Sequence, residues 1–320
     1  MKEFLITHDD LDGAGCRILF QIAHEKMEKG RDYDVINSHN NTIDADTMAF
    51  INSGRFNKLE DILYYADICP SPEILQMLFD NGYDVRIFDH HKTNVYATEI
   101  YGDRACIIPE YNGRLESGTS LLWMYYRTNK PYMNCDLVSM FQEVVRSYDT
   151  WEWKSTGNVI AKQLQTLFYL LGMDNFCTYY TKFLMISYDH HLISDSHMMF
   201  VEARMEQEQK AIDDFINGDN YYDMNVAGYK TAFVLGSRGA NVSEMCNQWL
   251  LKHPEYDIMC VYLPYDNTFS FRTVRDDINL GEDICKPLGG GGHPKAAGAP
   301  MSEEDINTII AIFDVVLNRR

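Results

Sequence analysis

The 320-residue sequence has no Cys-x-x-Cys pair, no uncharged apolar run of the roughly 18 residues that a membrane helix needs, and little positive charge. Each absence excludes something. Eight cysteines (Cys16, Cys69, Cys106, Cys135, Cys177, Cys246, Cys260, Cys285) stand apart from one another, so neither a zinc ribbon nor a dithiol redox motif is written here. A chain of this size folds without covalent staples, and reduced, mostly buried thiols are expected. With 28 Lys and Arg against 47 Asp and Glu, the net charge is -19. Affinity for duplex nucleic acid comes largely from basic side chains neutralising many phosphates. The expected partner is therefore a short single-stranded oligonucleotide or a dinucleotide, with no duplex and no membrane, and the sequence leaves a homodimer open. The opening Met1-Lys2-Glu3-Phe4-Leu5-Ile6-Thr7-His8-Asp9-Asp10 turns acidic too soon for a secretory signal, which gives a cytoplasmic expectation.

What is present is alternation. Short apolar runs at Phe4 to Thr7, Tyr33 to Ile36, Ile62 to Ala66 and Val85 to Phe88 read as strands. Helical stretches at Ala14 to Met27 and after Pro72 separate them, and Ser120 to Tyr126 and Leu137 to Tyr148 read as further helices. This order predicts an α/β fold: an N-terminal mostly parallel sheet with helices on both faces, over residues 1–190. Residues 191–218, charged and glycine-free until Gly218, predict a linker helix. Residues 219–320 predict a smaller α/β domain, with strands at Asn225 to Gly228, Thr231 to Leu235, Ile258 to Leu263 and Thr268 to Thr273 and a helix at Val242 to Leu251.

Acids and imidazoles stand where apolar runs end. Residues two apart on an extended segment share a side, so His8, Asp10 and Asp12 are predicted to face one point while Asp9 faces away. The competing reading is an ordinary helix cap offsetting the dipole. Asp67 closes the run Ile62 to Ala66, with the same alternative as a cap for the helix that Pro72 opens. Asp89-His90-His91 closes the next strand, offering one imidazole to a metal and another to substrate, with Asp89 orienting a ring. Asp149 follows a helix and reads alone as a turn residue. A second Asp-His-His at Asp189-His190-His191 lacks a strand before it and reads as a structural loop.

Charge unites the clusters. Asp10, Asp12, Asp67 and Asp149 would balance two divalent cations, leaving about one negative charge with a bridging hydroxide, whereas without ions they would repel and raise their own pKa values. Mixed carboxylate and imidazole donors suit Mn2+, with Mg2+ as the alternative. A second signature is Gly289-Gly290-Gly291-Gly292-His293-Pro294-Lys295-Ala296-Ala297-Gly298, a loop of small residues that lets a ligand lie against the backbone. It is neither a P-loop nor a dinucleotide fingerprint. Arg272, near the end of a predicted strand, is a bidentate phosphate clamp facing that loop, and Gly236 to Asn241 is a strand-to-helix loop that could line the same cleft.

These ordered motifs resemble the DHH phosphoesterase superfamily, in the branch whose C-terminal DHH-associated domain carries a Gly-Gly-Gly-His-x-x-Ala-Ala-Gly loop. His8-Asp9-Asp10-Leu11-Asp12-Gly13, Ala66-Asp67, Asp89-His90-His91, Asp149 and Gly290 to Gly298 match its motifs in order, across nearly the whole chain. The chain is similar to the family's oligoribonuclease and cyclic-nucleotide phosphodiesterase group more than to the longer RecJ-type exonucleases. The resemblance implies that His8, Asp10 and Asp67 hold one Mn2+, and that Asp12, Asp67, His90 and Asp149 hold the other. His91 would contact the scissile phosphate, and Gly290, Gly291, Gly292, His293 and Arg272 would bind the nucleotide. Some relatives place the first histidine four residues before the first aspartate; here His8 stands two before Asp10. The expected function is manganese-dependent hydrolysis of short oligonucleotides to 5′-mononucleotides by a two-metal activated hydroxide. Cyclic or linear dinucleotides and 3′-phosphoadenosine 5′-phosphate are the alternative substrates, and a nucleotide-binding sensor is the non-enzymatic alternative.

Overall fold

Strands buried on both faces need apolar side chains at nearly every position, and the first unit has two such strands, Glu3–His8 and Ile62–Ala66. The computed structural model describes residues 1–25, 32–186, 191–218, 221–236, 241–264 and 267–301. It divides into two units, Met1–Met205 and the part from Glu206 onward. In chain order the first holds β1 (Glu3–His8), α1 (Leu11–Glu25), β2 (Tyr33–Ser38), α2 (Ile43–Asn52), β3 (Ile62–Ala66), α3 (Pro72–Asp80), β4 (Asp84–Asp89), α4 (Tyr96–Tyr101) and β5 (Ala105–Ile107). A small hairpin, β6 (Glu110–Tyr111) and β7 (Arg114–Leu115), precedes α5 (Gly118–Asn129), α6 (Asp136–Asp149), α7 (Glu152–Thr156) and α8 (Val159–Ile186). α9 (Asp195–Ile216) follows.

The sheet order is β2-β1-β3-β4-β5, all parallel. Alternation along the strands feeds two cores. Phe4, Ile6, Leu63, Tyr65, Val85 and Ile87 pack on one face with Leu75 and Leu78 of α3. Leu5, Tyr64, Ala66 and Phe88 pack on the other with residues of α1, α5, α6 and α8. The order reverses between β1 and β3, and in such sheets the crevice beyond the strand carboxyl ends at that reversal receives ligand. His8 and Asp67 mark those two ends.

The second unit holds β8 (Tyr222–Val226), β9 (Tyr229–Leu235), α10 (Val242–Lys252), β10 (Ile258–Leu263), β11 (Thr268–Arg272), a π-helical turn (Leu280–Cys285), β12 (Gly291–His293) and β13 (Ala296–Pro300). Its sheet order is β12-β13-β11-β10-β9-β8, antiparallel except for the β9–β10 pair. Two expectations need correction here. The glycine run is a strand pair, not a loop, because the small residues from Gly291 to Gly298 let two backbones close into a hairpin. The strand expected from Asn225 is the end of β8, with Ala227 and Gly228 forming its turn at φ 51 and 91.

Two segments read from the sequence lie outside the described residues: Asp189 and His190 of the repeated tripeptide, and residues 237–240. All eight cysteines are free, five of them buried. Among the described residues no helix is long and apolar enough to cross a membrane.

Candidate metal centre

β1 ends at His8, and the chain enters α1 within three residues, so His8, Asp10 and Asp12 do not lie on one extended segment as the sequence suggested. The acid-rich stretch prefers to start a helix, where anionic side chains meet unpaired backbone N–H groups. Asp10 caps it: its Oδ1 accepts from Gly13 N at 3.0 Å. Asp10 is therefore a cap and a cluster member at once, since its Oδ2 lies 2.8 Å from His8 Nδ1. A side chain at Gly13 would place its Cβ 2.0 Å from the His8 carbonyl oxygen, so glycine is needed for this tight entry.

Asp12, in the first turn of α1, is 2% exposed. Its two oxygens accept from the first amides of α5: Gly118 N at 2.6 Å and Thr119 N at 3.1 Å. The start of one helix thus anchors a carboxylate carried by another. Asp67 follows β3 in a left-handed conformation, φ 59, and donates its N–H to Phe88 O at 2.9 Å. Gly118 presses against it: a Cβ there would fall 2.5 Å from Asp67 Cβ and 2.8 Å from its Cα.

Asp89 is fully buried at the end of β4. It accepts from His90 N at 2.8 Å and His91 Nδ1 at 2.7 Å through Oδ1, and from Asn94 Nδ2 at 2.6 Å through Oδ2. Burial opposes its charge, yet His91 beside it holds the carboxyl well below the usual carboxylate range. For His91 itself burial works against protonation, and Asp89 overrides it, raising the imidazole to about 9. His90 goes the other way. Burial and the His91 charge depress it, giving the neutral ring that a metal ligand requires.

His90 Nε2 lies 3.3 Å from Asp67 Oδ1 and 3.4 Å from Asp149 Oδ2. Three groups of donor atoms lie within 4.8 Å of one another: His8 with Asp10 and Asp67, Asp12 with His90 and Asp149, and Asp67 with Asp89, His90 and His91. Asp67 and His90 each belong to two of them. The Oδ2 atoms of Asp67 and Asp149 are buried and accept no hydrogen bond. Burial, then repulsion from Asp12 and Asp10, pushes both carboxyls well above the ordinary range. Crowded, unsatisfied oxygen donors with a neutral imidazole form a set that divalent cations satisfy.

Comparison with known proteins adds ancestry to this geometry. No protein-family model matches the chain. Its sequence is 28% identical to that of oligoribonuclease NrnB of Bacillus subtilis over 311 residues, covering 96% of this chain and 75% of that protein. That similarity, over nearly the whole of this chain, supports its resemblance to the DHH phosphoesterase superfamily. The fold is shared with RecJ of Thermus thermophilus in complex with Mn2+, at a TM-score of 0.53 and 14% identity, covering 100% of this chain and 52% of that one. It is shared equally with the pGpG-specific phosphodiesterase PggH of Vibrio cholerae, at 0.52 and 15% identity, covering 99% of each chain.

The other expected residues lie in the second unit. Arg272 does not reach out as a clamp: it donates to Ser243 Oγ from Nε at 3.1 Å and Nη2 at 3.0 Å, and to Ser270 Oγ and Phe271 O from Nη1 at 2.8 Å. Burial lowers its pKa. Sheet register nonetheless puts it on the same face as His293, because Arg272 pairs with Ala296 and Ala296 with His293. The next row on that face is Ser270, Gly298 and Gly291, nearly bare of side chains. Gly292 lies on the opposite face, paired with Ala297, and Gly290 packs so tightly that a Cβ would come 2.0 Å from Gly298 O. The sequence did not reveal Gly118, Thr119 or Asn94 as supports. Ser117-Gly118 signals a helix start, but nothing local says that its amides meet a carboxylate 106 residues away.

Proposed function

We propose that this phosphoester hydrolase is a two-metal phosphodiesterase that cleaves short oligonucleotides to 5′-mononucleotides, using Mn2+ with Mg2+ as substitute. The observation that carries the reading is the pair of donor groups His8/Asp10/Asp67 and Asp12/His90/Asp149, joined where Asp67 and His90 approach to 3.3 Å. These six side chains would hold the ions, with Asp67 shared. When bound, the ions would supply Lewis acidity for activating water and neutralising phosphate charge. The relation to an oligoribonuclease across 96% of the chain supports the substrate class.

The remaining residues have work of their own. Asp89 fixes the His91 ring through Nδ1 and keeps it cationic at neutral pH, so Nε2–H would donate to a non-bridging phosphate oxygen as its charge grows. Asn94 and two backbone amides hold Asp89 in turn. In the second unit, the face shared by His293 and Arg272, with Gly291 and Gly298 between, is proposed to bind the nucleotide, and Gly290 and Gly292 to let its hairpin close. An anion there would compete with Ser243 and Ser270 for the guanidinium.

The test is release of labelled mononucleotide from a dinucleotide and from oligomers of increasing length, with Mn2+ and after chelation. Turnover with Mn2+ that falls steeply with length is expected. Binding without turnover would instead identify a sensor, and undiminished turnover after exhaustive chelation would refute the metal centre.

A further inference from the structure

We propose that Trp151 is the base-stacking residue of this metal centre, a specificity-determining side chain that receives a nucleobase of the substrate. The proposal rests on the phosphodiesterase reading and deepens it. Five non-glycine residues among those described have positive φ: Asp67, Asn112, Trp151, Ala227 and Asn267. Asn112 and Ala227 occupy hairpin turns beside Gly113 and Gly228, and Asn267 is a turn residue immediately before β11. Such turns demand this conformation. The other two, Asp67 and Trp151, belong to the metal centre and its immediate sequence.

Asp tolerates the left-handed region, whereas a bulky indole does not, and the backbone there costs Trp151 stability that glycine would not forfeit. Strain of this kind persists where surrounding structure imposes it, and its surroundings do so here. At φ 65, ψ 4, Trp151 sits between the end of α6 and the start of α7. Thr150 donates from both N and Oγ1 to Arg146 O, at 2.9 and 2.8 Å. Arg146, 2% exposed, ties the flanks together through Glu143, Glu152 and Leu115 O. The turn is rigid on both sides of the indole.

The ring belongs to an aromatic platform. Trp151 meets Trp153 edge-on at 5.8 Å, Trp153 stacks on Tyr148 at 5.9 Å and 14°, and Lys154 Nζ lies 5.6 Å from the Trp151 ring and 4.7 Å from that of Trp153. Trp153 is buried while Trp151 is half-buried, so Trp151 is the ring of the pair that retains access to solvent. Two consecutive Cα–Cα steps of about 3.8 Å keep Trp151 within about 7.6 Å of Asp149, main chain to main chain. That short main-chain separation is what lets the proposal place a base, one nucleotide's length from the cleaved phosphate, on this ring with the Lys154 cation beside it. Stacking on an indole is sequence-tolerant, as degradation of mixed short oligonucleotides needs.

The test compares Trp151→Gly, which keeps the backbone conformation without strain, with Trp151→Phe, which keeps a ring. Substrates are a dinucleotide and its abasic counterpart. Expected are a KM for the dinucleotide raised about tenfold in Trp151→Gly, equivalent to about 1.4 kcal/mol, a smaller than twofold change on the abasic compound, and at most about threefold in Trp151→Phe. Equal effects on both substrates, or none on either, would overturn the proposal. As a second measurement independent of turnover and of the glycine variant's folding, AMP with Mg2+ is expected to quench indole fluorescence in the parent protein but not in Trp151→Phe. Quenching that survives in Trp151→Phe overturns it too. Absence of turnover in the parent would strike the phosphodiesterase reading, and the fluorescence arm would still judge the ring.

Discussion

Replacing Asp149 by Asn should make the metal-free protein more stable and the metal-loaded protein less so. The donor oxygens of Asp12 and Asp149 lie within 4.8 Å of each other. At an effective dielectric constant of about 20, two unit charges at that separation repel by about 3.5 kcal/mol. Asn keeps the size and loses the charge. Because burial and the neighbouring carboxylates already favour the protonated form of Asp149, about 2 kcal/mol of relief is expected at pH 8, or a rise of about 4–8 °C in Tm for a unit of this size. The pH dependence has a definite sign. The folded-state pKa values of Asp67 and Asp149 are raised, so between the unfolded carboxyl pKa near 4 and those raised values the native state binds more protons than the unfolded one. Stability of the chelated parent therefore falls as pH rises through that window, and Asp149→Asn shows a shallower fall. Adding Mn2+ at about a thousand times its Kd stabilises the parent by about 4 kcal/mol for one site, enough to reverse the order. Melting curves with and without chelator, from pH 5 to 8, measure all of this. A variant that melts below the parent in chelator at pH 8, or that gains as much from Mn2+ as the parent does, would refute the reasoning.

Gly118→Ala should cost about 1–3 kcal/mol and weaken Mn2+ binding, because its Cβ meets the Asp67 main chain at 2.8 Å and must displace either that residue or the amides that hold Asp12; unchanged Tm together with unchanged Mn2+ titration would contradict it. His91→Ala should lower kcat about 10²–10³-fold with metal stoichiometry intact. Asp89→Asn should move the alkaline fall in activity from near the parent's His91 pKa of about 9 down toward ordinary histidine. The two pH–rate profiles decide, and superimposable alkaline limbs would count against an imidazolium role.

The strands were legible because burial on both faces demands unbroken apolar runs, and β3 and β10 fall on Ile62–Ala66 and Ile258–Leu263 as read. Elements without such a signature were not. α2 carries Asp44 and Asp46 in its first turn behind the polar run Ser38 to Thr42, β5 has three residues, and α8 carries Gly172 at φ 72 within its 28 residues. The gathering of His8, Asp10, Asp12, Asp67, His90 and Asp149 could be anticipated because each stands at the end of an element on one sheet edge. How each side chain is held could not. Asp10 doubles as a cap, and Asp12 depends on amides at residues 118 and 119, a pairing set by how α5 crosses the sheet. The partners of Arg272 were hidden for a related reason: its position on β11 was readable, whereas Ser243, brought to it by α10, was not.

The donors come from positions 8, 10, 12, 67, 90 and 149, interleaved with every strand of the parallel sheet. The set is completed late, because three of its members lie within residues 8–12 while Asp67, His90 and Asp149 follow β3, β4 and α6, and long-range closures of this kind are slow. Under the proposed function, cation capture would then report completed assembly, since a ribosome-tethered fragment ending before Asp149 would lack one of the six candidate ligands.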